Sequence, residues 1–262
     1  MTIVNRKPAI VTASYAIEPC SGTSGNTGKN PDCCAYCHRR KETEWCDLGA
    51  RELEILSSSK HSRIYEAGEL LYQQGDDCNG VFCIRDGIVG DRRVDADGNS
   101  VLVRLNYGAT TLGYQEFLTK TEYRNTAEIL QDSFVCFIHR SVISQLLSSD
   151  SALGERFLRR SIRDTQKLED NYVVAMNASI RSRLLHVLLV LYERNGKIDT
   201  ADRHVLEIPI ARADLASLVG TGPETISRTI RKLQQDRLVE FDGRTAFIRN
   251  LDAVYNEIVA LN

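Results

Sequence analysis

The spacing of apolar residues along the chain predicts several kinds of structure in succession. Residues 1–32 contain a small, polar stretch, SGTSGNTGKNPD, that cannot build a core, and we expect a mobile tail there. From about Ile64 short apolar runs, at 81–84 and 101–103, are separated by glycines, and Asp97-Gly98 is typical of a hairpin turn. The segment 126–138 supplies the last strands. Short strands separated by glycine turns predict a small antiparallel β-barrel.

A helical period replaces this pattern after the barrel. Between 153 and 176 one set of residues recurs with steps of 4, 3, 4, 3 and 4, the heptad spacing that turns one side of a helix towards a partner helix. This heptad stripe consists of Leu158, Ile162, Thr165, Glu169, Tyr172 and Met176. A helix packed on its own barrel and a parallel dimer helix are both compatible with it, and we favour the dimer.

Glu169 makes such a dimer marginal. A carboxylate facing its symmetry mate is costly unless it is paired or protonated, so the dimer would be easy to switch. This is a hypothesis, and an unchanged monomer–dimer balance in Glu169→Ala would contradict it.

The C-terminal third predicts a winged helix-turn-helix. An apolar helix over 180–193 is too short to span a membrane and is typical of a core helix. Next, a short helix over 212–219 ends at Gly220, and Pro223 opens a second helix at its first turn. Residues 238–248 predict a hairpin that turns at Asp242-Gly243. Two short helices around a glycine turn, followed by this hairpin, predict the winged variant.

The outward side of the second helix carries side chains suited to the DNA major groove. Arg228 can bond guanine through both prongs of its guanidinium, Glu224 can accept a hydrogen bond from cytosine, and Ser227 can donate or accept. Together with Arg231 they form the recognition stripe. A solvated helix face of mixed charge is the alternative interpretation.

Composition limits the class of protein. The chain has 262 residues, of which 42% are hydrophobic and 26% charged, with a net charge of −2, so a DNA-binding surface has to be local. It offers neither a sustained apolar leader nor a run long enough to cross a membrane, and we expect a cytoplasmic, reducing environment.

Cysteines are crowded in the segment CCAYCHRRKETEWC, residues 33–46, which we call the cysteine loop. Persistent disulfides are unusual in a reducing compartment, so metal, cofactor or redox chemistry is favoured for the group, although the loop alone leaves a disulfide clip open. Cys83 lies in a predicted strand and is expected to be a small core residue.

The order of barrel, long helix and winged helix-turn-helix resembles the CRP/FNR family of bacterial transcription regulators over residues 48–255. The most specific feature is Glu224-Thr225-Ile226-Ser227-Arg228, which is similar to the E-x-x-S-R signature of the FNR-like branch. The segment FCIRDGIV at 82–89 is similar to a barrel strand and turn of the family. The resemblance implies a homodimer that binds palindromic double-stranded DNA of the TTGAT…ATCAA type and contacts RNA polymerase.

The same branch implies a sensor. Its members hold a [4Fe–4S] cluster through three N-terminal cysteines and a fourth at the end of the barrel, which here correspond to Cys34, Cys37, Cys46 and Cys136. An intact cluster would favour the DNA-binding dimer, and its loss to oxygen would release it. The spacing departs from the family's usual C-x2-C-x5-C, because eight residues separate Cys37 from Cys46, and Cys33 could replace Cys34.

Other sensing chemistries stay open. Zinc or a thiol switch would use the same cysteines. A cyclic nucleotide is less favoured, because Tyr114 stands where the family's ribose-binding glutamate would fall, while Arg124 could still meet a phosphate. The histidines are scattered without a nucleophile–base pair, so an enzyme is not expected.

We therefore predict an α+β protein with an N-terminal antiparallel β-barrel of the cupin-like jelly-roll type, a long dimerisation helix and a C-terminal winged helix-turn-helix. The expected divisions are a tail at 1–32, the cysteine loop and sensor barrel at 33–150, the dimerisation helix at 151–178 and the DNA-binding domain at 179–262.

Overall fold

The structure is a computed structural model that describes residues 34–259. The predicted mobile tail at 1–32 and the alternative ligand Cys33 lie outside the described residues. The described chain divides into two compact units, one ending at Thr165 and the other beginning at Gln166. This division falls inside the predicted dimerisation helix, and the domain boundaries proposed from the sequence stay predictions.

The first unit is a β-sheet domain with helices around it. It starts with two short 3-10 turns, Cys34–Tyr36 and Arg40–Glu42. The helices are α1 (Ala50–Ser59), α2 (Tyr114–Thr119), α3 (Arg140–Ser149) and the start of α4 (Ser151–Asn177). The strands are β1 (His61–Tyr65), β2 (Leu70–Tyr72), β3 (Gly80–Val94), β4 (Ser100–Tyr107), β5 (Thr110–Leu112) and β6 (Thr126–His139).

The sheet is antiparallel, as predicted, and its centre is the long pair β3 and β6. The strand order is β1-β6-β3-β4, with β2 also on β6 and β5 also on β3, so the described pairings form an open path rather than a closed ring. Gly98 adopts a φ of +83° in the turn between β3 and β4, which confirms the predicted hairpin. The jelly-roll class is confirmed, with the sheet left open at its edges.

The long helix α4 confirms the helical period found in the sequence. Leu153 and Phe157 are buried in a core with Trp45 and Tyr114, whereas the heptad stripe lies on the exposed surface of the chain. The start of α4 therefore packs on its own sheet domain through a side other than the heptad stripe, and the dimer through the stripe stays a prediction. The ten-residue helix α3 stands between the end of the sheet and α4.

The second unit confirms the winged helix-turn-helix. Its helices after α4 are α5 (Ile180–Asn195), α6 (Arg212–Val219), α7 (Pro223–Gln235) and α8 (Leu251–Val259). Its strands are β7 (Gly196–Ile198), β8 (His204–Glu207), β9 (Val239–Asp242) and β10 (Thr245–Ile248), in the order β7-β8-β10-β9. The predicted wing is the β9–β10 hairpin, and two further strands extend it.

Helix α5 is the centre of this unit. Its leucines at 184, 185, 188, 189 and 191 are all buried, as expected of a core helix. None of the helices in the described part of the chain is both long enough and apolar enough to cross a membrane.

Candidate DNA interface and cysteine site

Local sequence positions the recognition helix α7. Gly220 ends α6 in the left-handed conformation at a φ of +70°, and Pro223 starts α7 in its first turn. Ile226, Ile230 and Leu233 are buried, so the inward side of α7 is the one that the spacing predicted. The opposite side, which carries the recognition stripe, is left towards solvent.

The recognition stripe is available for a ligand. The side chains of Glu224 and Arg228 are 87% and 73% exposed and pair with each other at 3.3 Å, one helical turn apart. An exposed pair of this kind contributes little to stability, so base contacts can replace it at small cost. The Ser227 hydroxyl donates to the Pro223 carbonyl at 2.8 Å, which leaves its oxygen as an acceptor. Arg231 is exposed one turn further along α7.

The fold brings part of the cysteine loop against strand β6. Cys34 and Cys37 lie close enough to Cys136 that each thiolate would repel the others, and burial, the largest effect, raises the pKa of Cys34 to about 11. The backbone N–H of Cys34 donates to the Ser57 hydroxyl of α1 at 3.0 Å, which fixes the start of the loop. Two of the predicted loop ligands thus lie within electrostatic reach of the predicted barrel ligand.

The polar side chains nearest the Cys136 sulfur are hydrogen-bond donors. The Ser62 hydroxyl donates to its sulfur at 3.4 Å, and the Lys60 ammonium lies 3.9 Å from the same sulfur. Burial raises the pKa of Cys136, while hydrogen bonding from Ser62 and the positive charges of Lys60 and Arg85 oppose the shift. These donors would stabilise a thiolate once a metal replaced the proton.

Sequence reasoning missed the place of Cys83. It is the direct partner of Cys136 in the β3–β6 register, so both side chains leave the same side of the sheet. The indole N–H of Trp45 donates to its sulfur at 3.1 Å, and burial raises its pKa well above the ordinary value. Its strand position predicted a core residue, and only the register shows that a fourth thiol lies next to Cys136.

The four predicted ligands are not assembled as a set. Cys34, Cys37 and Cys136 are free thiols, whereas Cys46 is disulfide-bonded. Within residues 34–259, His, Cys, Asp and Glu side chains form no group of three that could hold a metal ion as they stand. The donor type fits a thiolate-bound cluster, and Cys34, Cys37 and Cys136 lie within electrostatic reach of one another. Binding would require reduction of Cys46 and a closer approach of the sulfurs.

The end of the cysteine loop packs on α4. Trp45 is 3% exposed, and its ring stands edge-on to that of Phe157 with centroids 5.4 Å apart. The neighbouring Glu44 carboxylate, equally buried, pairs with Arg160 of α4 at 3.3 Å. Trp45 and Glu44 therefore hold this end of the loop against the long helix.

A tyrosine occupies the position at which cyclic-nucleotide sensors are expected to bind a ribose. Tyr114 is buried, and its hydroxyl donates to Asp164 of α4 at 2.9 Å. A tyrosine engaged in this way has no carboxylate to offer a ribose, which agrees with the low preference for a cyclic nucleotide.

Comparison with known proteins agrees with both units. Residues 182–256 match the family described as the Crp-like helix-turn-helix domain, and residues 62–150 match the cyclic nucleotide-binding domain. The chain is similar to the probable transcriptional regulator flp of Lacticaseibacillus casei, with 29% identity over 192 residues, which is 73% of this chain and 84% of that relative. It is also similar to the anaerobic regulatory protein of Haemophilus influenzae, with 19% identity over 235 residues, 88% of this chain and 91% of the relative.

The fold is similar to a solved structure, that of FixK2 from Bradyrhizobium japonicum. The TM-score is 0.65 at 19% identity, and the match covers 75% of this chain and 96% of FixK2. The two matched domains, their order along the chain and the exposed recognition helix lead to one conclusion: the chain belongs to the CRP/FNR family and is a DNA-binding transcription regulator, not an enzyme.

Proposed function

We propose that this regulator is of the FNR-like branch and responds to oxygen or redox state through a [4Fe–4S] cluster held by Cys34, Cys37, Cys46 and Cys136. The observation that carries the proposal is the approach of the loop cysteines Cys34 and Cys37 to Cys136 on β6. They are separated by about a hundred residues in sequence, and the fold brings them within electrostatic reach of one another. When bound, such a cluster would supply an oxygen-labile centre that ties the loop to the sheet.

The surrounding side chains suit that role. Lys60 and Ser62 face the sulfur of Cys136 and offset negative charge on thiolates. Trp45, buried against α4, shields this end of the loop from water. The relative named for anaerobic regulation supports a redox signal, without showing which one this chain receives.

DNA recognition is proposed to run through the recognition stripe. Arg228 would contact guanine, Glu224 cytosine and Ser227 a neighbouring base or phosphate, while Arg231 would contact the backbone. The resemblance to the FNR-like branch implies half-sites of the TTGAT type for these contacts. Each base contact is worth about 1–3 kcal/mol of discrimination.

Two protomers are proposed to pair through the heptad stripe. Leu158, Ile162, Tyr172 and Met176 are at least half exposed in the single chain, which is an unusual state for a row of large apolar residues on one helix. A parallel homodimer would cover them and set two copies of α7 on a palindrome. We also propose contact with RNA polymerase and a cytoplasmic location, where the DNA is.

A thiol switch in the same fold is the second candidate, and the disulfide at Cys46 favours it. In that case the loop changes state by thiol–disulfide exchange, and no iron is needed. Zinc bound by the same cysteines would be a variant of this candidate.

Anaerobic purification followed by iron and acid-labile sulfide analysis distinguishes the candidates. We expect iron and sulfide in wild type, loss of both in Cys136→Ser and retention in Cys78→Ser, whose thiol is buried elsewhere in the sheet domain. A colourless protein without iron that still binds DNA would refute the cluster and leave the thiol switch or, if zinc is found, the zinc site.

Fluorescence anisotropy with a labelled TTGAT…ATCAA duplex and a scrambled duplex tests DNA recognition. We expect Arg228→Ala to weaken binding to the specific duplex by about 10- to 100-fold while changing non-specific binding little. An equal loss on both duplexes would assign Arg228 to the phosphate backbone instead.

A further inference from the structure

We propose that Glu44 is the positioning residue through which the state of the cysteine loop reaches helix α4 and its heptad stripe. The proposal rests on the proposed function in one respect, namely that the cysteines change the state of the loop. It adds the physical link between that change and the dimerisation helix, for which sequence reasoning assigned no residue.

Glu44 makes three separate contacts that bridge distant parts of the first unit. One carboxylate oxygen pairs with the Arg160 guanidinium at 3.3 Å, and the other accepts from the Thr111 hydroxyl of β5 at 2.8 Å. Its backbone carbonyl accepts from the Arg156 guanidinium at 2.6 Å. Arg156 and Arg160 are one turn apart on α4, so both bind Glu44 from the same side of the helix.

Both arginines are themselves held in place. Arg160 also donates to Asp164 at 3.1 Å, and Arg156 donates to Asp150 at 2.8 Å. Asp164 in turn accepts from the Tyr114 hydroxyl of α2. A network with this many fixed partners has little freedom to adjust, so it transmits a displacement of Glu44 rather than absorbing it.

Glu44 is 3% exposed, and this burial makes the link strong. Separating the carboxylate from Arg160 would leave a buried charge without its partner, which costs far more than breaking an exposed ion pair. The loop end and the first half of α4 should therefore move as one body. Residues 43–46 are all buried, and Cys46 follows Glu44 by only two positions, so a change at that sulfur acts directly on the ion pair.

The heptad stripe lies on another side of the same stretch of helix. Leu158 and Ile162 flank Arg160 in sequence but are exposed, whereas Arg160 turns towards the barrel. Because a helix is stiff over two turns, a shift or rotation forced at Arg156 and Arg160 changes where Leu158 and Ile162 point. The dimer surface is in this way coupled to the cysteine loop without contacting it.

The test compares the dimer dissociation constant of the full chain in two loop states. Sedimentation of wild type gives two ratios of dissociation constants. The first compares reduced apo-protein with anaerobically reconstituted protein. The second compares reduced protein with diamide-oxidised protein. We expect Glu44→Gln, which keeps the volume and the acceptor for Thr111, to lower the larger of these ratios about tenfold or bring it close to one.

Matched controls come from the same loop and the same helix. Glu42 pairs with Arg39 at the surface and Arg159 pairs with Glu155, so Glu42→Gln and Arg159→Gln should leave the ratio within about twofold of wild type. Arg160→Lys should retain more of the ratio than Arg160→Gln, because it keeps the charge. If circular dichroism shows that Glu44→Gln folds poorly, Arg160→Lys and Arg160→Gln test the same ion pair through its partner on α4.

An unchanged ratio in Glu44→Gln and in Arg160→Gln would overturn the proposal, as would a wild-type ratio of one in both comparisons. Absence of iron from wild type would refute the cluster and not the link, since the reduced and oxidised forms still test it.

Discussion

Asp91 on β3 is a buried carboxylate that should make the protein less stable at neutral pH than in mild acid. It is 5% exposed, and its Oδ1 atom has no hydrogen-bond partner in the described part of the chain. Burial raises its pKa from the ordinary 3.8 to about 6, although the positive charge of Arg104 opposes the shift. The perturbation is Asp91→Asn, which removes the charge and keeps the shape.

The size of the effect follows from the two pKa values. Between about pH 4 and pH 6 the native state binds the proton that the unfolded state has already lost, so the free energy of unfolding falls as the pH rises through this window. A native pKa of about 6 against 3.8 corresponds to about 3 kcal/mol once the pH exceeds both values. We therefore expect Asp91→Asn to be up to about 3 kcal/mol more stable than wild type at pH 7.5 and nearly equal to it at pH 4.

Urea unfolding at both pH values provides the assay. Far-ultraviolet circular dichroism follows the whole chain, and the fluorescence of Trp45, the only tryptophan, follows the first unit, where Asp91 lies. Asp95→Asn is the control, because Asp95 lies in the exposed turn after β3, where hydrogen bonds from Asn99 lower its pKa, and its removal should act in the opposite direction. An Asp91→Asn variant that is no more stable than wild type at pH 7.5 would refute the reasoning.

Three other predictions concern the loop, the stripe and the turn. Trp45→Ala should lower the free energy of unfolding by about 3–5 kcal/mol, and Trp45→Phe by clearly less, as judged by circular dichroism in urea; equal losses would mean that packing on Phe157 is not the cause. Ile162→Glu should abolish dimers in sedimentation while leaving the melting temperature of the monomer nearly unchanged, because Ile162 is 50% exposed; a dimer that survives would place the interface elsewhere. Gly220→Ala should destabilise by about 1–2 kcal/mol because the φ of +70° strains any side chain. Gly154→Ala, inside α4, should stabilise by about 0.5–1 kcal/mol, because an added Cβ would make only an ordinary contact with Leu147 at 3.7 Å; the same sign for both would contradict the backbone argument.

Local sequence patterns were sufficient to predict the elements of the DNA-binding half of the chain. The positions of Ile226 and Ile230 on one side of α7, and the glycine and proline that end one helix and start the next, depend on neighbours within about four residues. The heptad stripe on α4 was found in the same way. Such features can be predicted from sequence because the helix period fixes which side chains share a side.

The cysteine site and its link to α4 depend on contacts between distant segments. The pairing of Cys83 with Cys136 is set by the register of β3 and β6, and a shift of one residue would turn one of the two thiols to the other side of the sheet. The meeting of Glu44 with Arg160 depends on the path of a loop that has no periodic pattern. The burial of Asp91, in a stretch rich in charged residues, is another result of how strands pair. Hydrophobic periodicity carries no information on these distances, because they are set by how the elements pack rather than by which elements form.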